Sequence, residues 1–243
     1  MFFIDPPFGN YINLPHTTSI KGSFTLEPRP GLIWQIIKTL RYSTTYQGWI
    51  NKIGLRNKGI DYAIKHYDGK HIVSIAILNE KEIYPLEKKI PKNMNIELNV
   101  SCPNVDDKHD KVIKDLNIFL NPMREWCIIK LSPLTDMDLV KQYYRQGFRQ
   151  FHCSNTLPVK NGGLSGAHLS KYSIALCANI HKLLPNDTVI IGGGGITNMD
   201  IAKKYFDNGA SHISASTLFF NPFNACSFYR EYIKSKYNVD INK

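Results

Sequence analysis

"TVIIGGGGITNMDIAKKYFDNGASHISAS", residues 188–216, is the stretch that decides the fold. It opens on a β-rich run (188–193), passes through four glycines, and continues in "NMDIAKKYFDNGA", an amphipathic segment. Asn198 stands before that segment and Gly209 behind it, residue types that begin and end helices. "SHISAS" (211–216) is a second β-rich run. Strand, helix and strand in so short a span make a βα unit feeding a parallel sheet.

The same alternation runs back along the chain. β-Rich runs are "SFTL" (23–26), "HIVSIAIL" (71–78), "NIELNV" (95–100), "CIIKLS" (127–132) and "FRQFHCS" (148–154), with "MFFI" at the start supplying one more. Between them lie "KVIKDLNIFL", "DMDLVKQYYRQG" with Asp136 and Asp138 near its start, and "SKYSIALCANIHKLL", all amphipathic. About eight such strands favour a closed (β/α)8 TIM barrel over an open doubly wound sheet. Residues 5–22 are too rich in Pro, Gly and Thr for a good helix, so the first βα unit is expected to be reduced. With no internal repeat or linker, residues 1–243 are read as a single domain, a size α/β barrels commonly reach.

Composition narrows the class. A hydrophobic share of 43% supports a core, and the chain lacks both a signal peptide pattern and a run of about 18 apolar residues. The expectation is a soluble, cytoplasmic protein with no membrane partner. Five scattered cysteines without a C-x-x-C pair speak against disulfides and zinc. The net charge of +10 admits nucleic acid, but also a small anionic substrate and a phosphate-bearing cofactor. "EKKIPK" and "YIKSKY" read as solvated faces and not as binding patches, and charge alone decides little, with nucleic acid the less expected partner.

Strand parity then picks out side chains. Alternate residues of a barrel strand point inward, and those at C-terminal ends floor the active site. Putting late positions inward places Asn99, Lys130 and Asn155 at the mouths of three consecutive strands, with Glu97 sharing a face with Asn99. Three polar residues there, one of them a lysine between Ile129 and Leu131, make a costly core without a polar ligand to bind. The same parity turns Phe151 and Cys153 inward and His152 outward. His66 and His71 lack a carboxylate pattern, and Trp34, Trp49 and Trp126 read as packing residues.

Two glycine runs, "GGLSG" (162–166) and "IIGGGGIT" (190–197), fit neither a P-loop nor a Rossmann fingerprint. With "SASTLF" (214–219) they suggest the phosphate cup that barrels build after strands seven and eight, using Gly195 N–H and the Ser216 and Thr217 hydroxyls. "INKIGLRNKG" (50–59) offers Asn51 and free backbone groups around Gly54 and Leu55, on its own an ordinary loop.

Taken in order, "GSFTLEPRPG", "INKIGLRNKG", "NVSCPN", "IIKLSP", "SNT", "GGLSG", "IIGGGGI" and "SASTLF" resemble the dihydroorotate dehydrogenase family of FMN-dependent TIM barrels, from about residue 20 to 222. The resemblance implies the soluble, cysteine-base type. Cys102 would remove a proton from C5 of dihydroorotate, and hydride would pass from C6 to flavin N5, leaving orotate. Asn51, Asn99, Asn104, Asn155 and Thr156 would hold the pyrimidine, with backbone contacts from Gly54 and Leu55. Lys130 would face the flavin N1/O2 edge. Ser23, Ser74, Asn99, Ser154, Gly166, Gly194, Gly195, Ser216 and Thr217 match FMN-contacting positions. The resemblance also implies a homodimer, and an acceptor that is either fumarate or NAD reached through an electron-transfer partner subunit.

The chain departs from the family at several points. Gly22 stands where soluble members carry a second-strand lysine, Lys21 is one residue off and on the opposite face, and "PPFGN" holds no first-strand lysine. The first helix is absent, the connection from Thr156 to Gly162 is short, and Ser216 replaces a glycine. Two alternatives stand beside this reading: another FMN barrel such as a tRNA dihydrouridine synthase, and a barrel that binds flavin or a pyrimidine without turnover.

Overall fold

The computed structural model describes residues 1–100 and 113–237. Eight parallel strands close into a barrel, in chain order around the ring: β1 (Phe2–Ile4), β2 (Thr17–Phe24), β3 (Ile72–Ala76), β4 (Ile96–Asn99), β5 (Cys127–Leu131), β6 (Gln150–Cys153), β7 (Val189–Gly193) and β8 (His212–Ala215). Most of these strands are buried on both faces, which is why they read as near-continuous apolar runs. Helices α1 (Leu32–Thr39), α2 (Ile60–Lys65), α3 (Ile83–Lys89), α4 (Met137–Arg145), α5 (Ser170–Leu183), α6 (Met199–Asp207) and α7 (Pro222–Tyr237) fall between and after them. The fold is the TIM barrel expected from the sequence.

Local chemistry starts and stops the helices as anticipated. Asp136 caps α4 by accepting from Asp138 N–H at 2.7 Å, and Asn198 caps α6 by accepting from Ile201 N–H at 3.0 Å. Gly209 follows α6 at φ 91°, where a Cβ would meet the His181 ring at 2.3 Å.

Between β1 and β2 the described chain makes a 3-10 turn, Phe8–Asn10, and no α-helix. That turn lies against the barrel so closely that a Cβ on Gly9 would sit 2.2 Å from the carbonyls of Ile4 and Ile20. The Asn10 amide accepts from Gly22 N–H at 2.9 Å and so ties the turn to β2.

Several elements differ from the sequence reading. β2 begins at Thr17, six residues before "SFTL", because Thr17, Thr18 and Ser19 pair with Phe2, Phe3 and Ile4. "KVIKDLNIFL" is not a helix over its described part; Asp115 adopts φ 60° and a 3-10 turn, Leu116–Phe119, drives Leu116 and Phe119 into the core. "GGLSG" is a strand, not a loop. It pairs antiparallel with Gly48–Asn51 and with Leu157–Val159, and Arg41–Ser43 completes a four-stranded sheet. Two of these strands leave the barrel after β2 and two after β6, strands four apart in the ring. Both connections start from the C-terminal ends of their strands, so the small sheet is rooted at the barrel mouth.

Candidate active site

Inside the barrel, Phe3, Ile20, Ile72, Trp126, Ile128 and Ile191 form a closed apolar cluster. Two residues further along β1, β3 and β5 the inward positions become Asp5, Ser74 and Lys130, while β4 and β6 contribute Glu97 and His152. Lys130 Nζ lies 2.8 Å from Asp5 Oδ2 and 3.4 Å from Glu97 Oε1. His152 Nδ1 is 2.6 Å from Glu97 Oε2, and its Nε2 stands 3.6 Å from Asp5 Oδ2. Ser74 Oγ donates to Glu97 at 2.7 Å.

From Ser74 a hydrogen-bonded chain climbs to the mouth. Ser74 and Ser23 hydroxyls are 2.9 Å apart, Asn99 Nδ2 donates to Ser23 Oγ at 3.0 Å, and Asn155 Nδ2 donates to Asn99 Oδ1 at 2.9 Å. Five residues expected at the site, Ser23, Ser74, Asn99, Lys130 and Asn155, are thus joined through Glu97 into one network.

The charges inside it are fixed by each other. Burial alone would push the Glu97 carboxyl up, but Lys130, the His152 imidazole and the Ser74 hydroxyl outweigh it and hold the group down at about 2. Burial works against the Lys130 ammonium, and Asp5 and Glu97 more than reverse that, raising it above its ordinary value. Both groups therefore stay ionised across the neutral range. Removing one partner of such a buried set leaves an uncompensated charge and costs about 3–5 kcal/mol.

His152 corrects the parity reading. It is fully buried inside the barrel, whereas Phe151 and Cys153 pack outward in the main core. Both faces of a parallel barrel strand are buried, so apolar residues do not mark the inner face; here the outer face took them. Gly193 makes room for the ring, since a Cβ there would lie 3.0 Å from His152 Nε2. Asp5 was also missed, although continuing the Phe3 parity by two residues points to it. His71 does have a carboxylate, with Nδ1 2.7 Å from Asp68 Oδ1.

On β2 a bulge lies between Lys21 and Phe24. It comes too late to turn Lys21 inward: Lys21 pairs with Val73, a residue of the outer core, and its charge acts on Asp68 and His71. What the bulge aims at the site is Ser23, whose hydroxyl reaches both Ser74 and Asn99. Gly22 at its centre has φ 132°, and a Cβ there would meet the Ser74 carbonyl at 2.5 Å.

The remaining expected residues fall in three places. Ser154 turns its hydroxyl to Ser173 of α5 at 2.6 Å. Gly194 and Gly195, at φ 97° and 73°, pack against the start of α5, where a Cβ on Gly195 would lie 2.7 Å from the Gly166 carbonyl. Ser216 donates to the Pro6 carbonyl at 2.9 Å, and Thr217 opens the following 3-10 turn. Asn51 pairs with Gly163 in the small sheet, its side chain accepting from Ile53 N–H at 3.4 Å. The Gly54 carbonyl receives Arg29 Nε at 3.2 Å and the Leu55 carbonyl receives Asn57 Nδ2 at 2.7 Å. Thr156 N–H donates to Asn155 Oδ1 at 2.9 Å. Cys102 and Asn104 lie outside the described residues. The described Cys127, Cys153 and Cys177 are buried, and burial pushes the Cys127 thiol up to about 12 and raises that of Cys153.

Comparison with known proteins agrees with this fold. The sequence model of the family described as dihydroorotate dehydrogenase matches residues 10–235. The chain belongs to the dihydroorotate dehydrogenase family. It is 30% identical over 258 residues to the "Dihydroorotate dehydrogenase B (NAD(+)), catalytic subunit" of Desulforamulus reducens, covering 89% of this chain and 80% of that protein. The protein of the same name from Lachnoclostridium phytofermentans is 27% identical, with 91% and 85% covered. The ligand-free crystal structure of an Eimeria tenella DHODH superposes with a TM-score of 0.70 at 17% identity, covering 99% of this chain and 86% of that one, a likeness of fold.

Proposed function

We propose that this chain oxidises dihydroorotate to orotate with FMN as its cofactor, within one barrel domain spanning residues 1–243. The observation that carries the reading is the polar network from Lys130 to Asn155 at the mouth of a barrel whose floor is apolar. A buried ammonium, two amides and a hydroxyl form a donor set suited to the carbonyl-bearing edge of a flavin and to a pyrimidine, so the residues fit the cofactor. Ser23, Ser74, Asn99 and Lys130 would meet the ring, with Lys130 favouring negative charge on its N1/O2 edge. Ser154, Gly166, Gly194, Gly195, Ser216 and Thr217 would hold the rest of FMN.

Asn51, Asn99, Asn104, Asn155 and Thr156 orient the substrate, helped by the backbone at Gly54 and Leu55. Cys102 takes the proton from C5 as a thiolate, a group whose ordinary value of about 8.5 is within reach of neutral pH. Held by Ser23, Ser74, Asn99 and Lys130, FMN would supply the acceptor for the hydride that leaves C6. Loss of that proton and hydride converts dihydroorotate to orotate. The two relatives above are named as NAD(+)-type catalytic subunits, which supports NAD and an electron-transfer partner as the route out for the electrons. Cytoplasmic location and a homodimeric core belong to the same proposal.

Turnover of dihydroorotate by the purified protein tests it. The expected outcome is activity that falls by at least a hundredfold in Cys102→Ala, in line with the usual worth of a general base, while FMN stays bound. Undiminished turnover in that variant would remove Cys102 from the chemistry, and reduction of transcript tRNA alone would replace the substrate.

A further inference from the structure

Behind Lys130 the barrel buries three titratable groups to which the reaction above gives no part: Asp5, Glu97 and His152. Their ligand atoms lie within 4.8 Å of one another, a grouping able to hold a metal ion. The Lys130 ammonium already fills that role, standing 2.8 Å from Asp5 Oδ2 and 3.4 Å from Glu97 Oε1. The set is built around a cation that the chain itself supplies. Two carboxylates against one ammonium still leave a net negative charge, and a buried charge is costly unless it is compensated.

His152 is placed to supply the compensation. Among the described residues, the charged groups that face it are Asp5 from β1, Glu97 from β4 and Lys130 from β5, its register partner. The neighbouring β3, β7 and β8 bring only the neutral Ser74, Gly193 and Ser214. Nδ1 donates to Glu97 Oε2 at 2.6 Å, because that carboxylate stays ionised and can only accept. Nε2, fully buried and without a hydrogen-bond partner, then stands 3.6 Å from Asp5 Oδ2. In a neutral ring this would aim a lone pair at an anion, which is repulsive and leaves a buried acceptor unsatisfied. In an imidazolium the same atom carries a proton towards a carboxylate. That state matches two anions with two cations.

We infer that His152 is a positioning residue, held as an imidazolium that offsets the second carboxylate and leaves the charge of Lys130 for the flavin's N1/O2 edge. This rests on the FMN site proposed above. His152 touches neither flavin nor substrate there and acts through Glu97 and Asp5. The size of the effect follows from distance: at an effective dielectric of about 20, a unit charge about 10 Å away changes an equilibrium constant by roughly tenfold.

Sulfite titration of the FMN-loaded full chain at neutral pH reads this charge without dihydroorotate, because sulfite adds to flavin N5 and leaves negative charge on the N1/O2 edge. His152→Asn keeps a donor for Glu97 but cannot be charged, and it is expected to bind sulfite about tenfold more weakly than wild type. Asp5→Asn removes a competing anion and is expected to bind sulfite about tenfold more tightly. A merely structural role would weaken both, so the opposite signs carry the test. Nitrogen-15 NMR of histidine-labelled wild-type protein reads the ring directly and needs no variant to fold. Expected is one slowly exchanging ring with protons on both nitrogens. Unchanged sulfite affinity in His152→Asn, weaker binding in both variants, or no such ring in the wild type would overturn the inference. Bound flavin that dihydroorotate fails to reduce would overturn the reaction proposed above and leave the sulfite and NMR results to decide this inference; a protein that retains no FMN would overturn both.

Discussion

The barrel interior holds two layers built from the same strands. At its N-terminal end Phe3, Ile20, Ile72, Ile128 and Ile191 close on Trp126, with the Phe3 ring 5.3 Å from Trp126 and 5.9 Å from His212. One inward step further, β1, β3 and β5 offer Asp5, Ser74 and Lys130 instead, meeting Glu97 and His152. The lower layer is held by burial of apolar area, which any residues of similar shape would supply. The upper layer is held by mutual charge compensation, which is intolerant of single changes. The difference teaches where function can reside: a packed floor frees the next layer to carry groups that a core would reject.

The sharpest way to break this comparison is to delete one large group from each layer. Phe3→Ala and Lys130→Met are each expected to cost about 3–5 kcal/mol, by cavity formation in one case and by stranding two carboxylates in the other. Denaturant unfolding measures both. Their signatures should separate on flavin: under conditions where both variants are folded, Phe3→Ala keeps its affinity for FMN and Lys130→Met loses it. Equal loss in both would mean that the layers are not functionally distinct.

Acid titration probes the layers in turn. His212, in the floor, is lowered from 6.5 to about 4 by burial, then by the chain terminus and Lys236. The unfolded chain binds the extra proton first, so this contribution to stability is present above pH 6.5 and is lost as pH falls towards 4. Glu97 is lowered from 4.5 to about 2, so its contribution is present above pH 4.5 and is lost as pH falls towards 2. Melting curves across pH should therefore decline in two stages, and His212→Asn should shrink the first, to which His71, also lowered by burial, contributes, while leaving the second. The smallest effect is expected from Ile128→Val, about 0.5–1.5 kcal/mol with dihydroorotate kinetics unchanged.

Much of this was legible in the sequence. The glycine-punctuated unit at 188–216 announced the barrel, and the parity of Asn99 and Lys130 put both where the structure has them. Their neighbours were less readable for physical reasons. His152 was hidden because a strand buried on both faces has no alternation to read, and Ser23 was reached through the family resemblance and not through parity, because a bulge shifts its register. The glycines of β7 and the turn after it pointed to phosphate, yet each has a packing reason of its own. Gly192 faces Tyr205, Gly193 faces His152, and Gly194 and Gly195 face the start of α5. Trp34, read as a packing residue, stands 68% exposed on α1, because exposure of an apolar helix is a tertiary fact that residue types alone do not reveal.

The central claim is that the upper layer and the mouth above it form a flavin and dihydroorotate site. The visible spectrum of FMN-loaded protein, recorded before and after anaerobic dihydroorotate, tests it most directly. The account predicts a bound flavin whose absorbance near the yellow band bleaches on addition of substrate. A flavin that stays oxidised, or a protein that retains none after FMN is supplied, would contradict it.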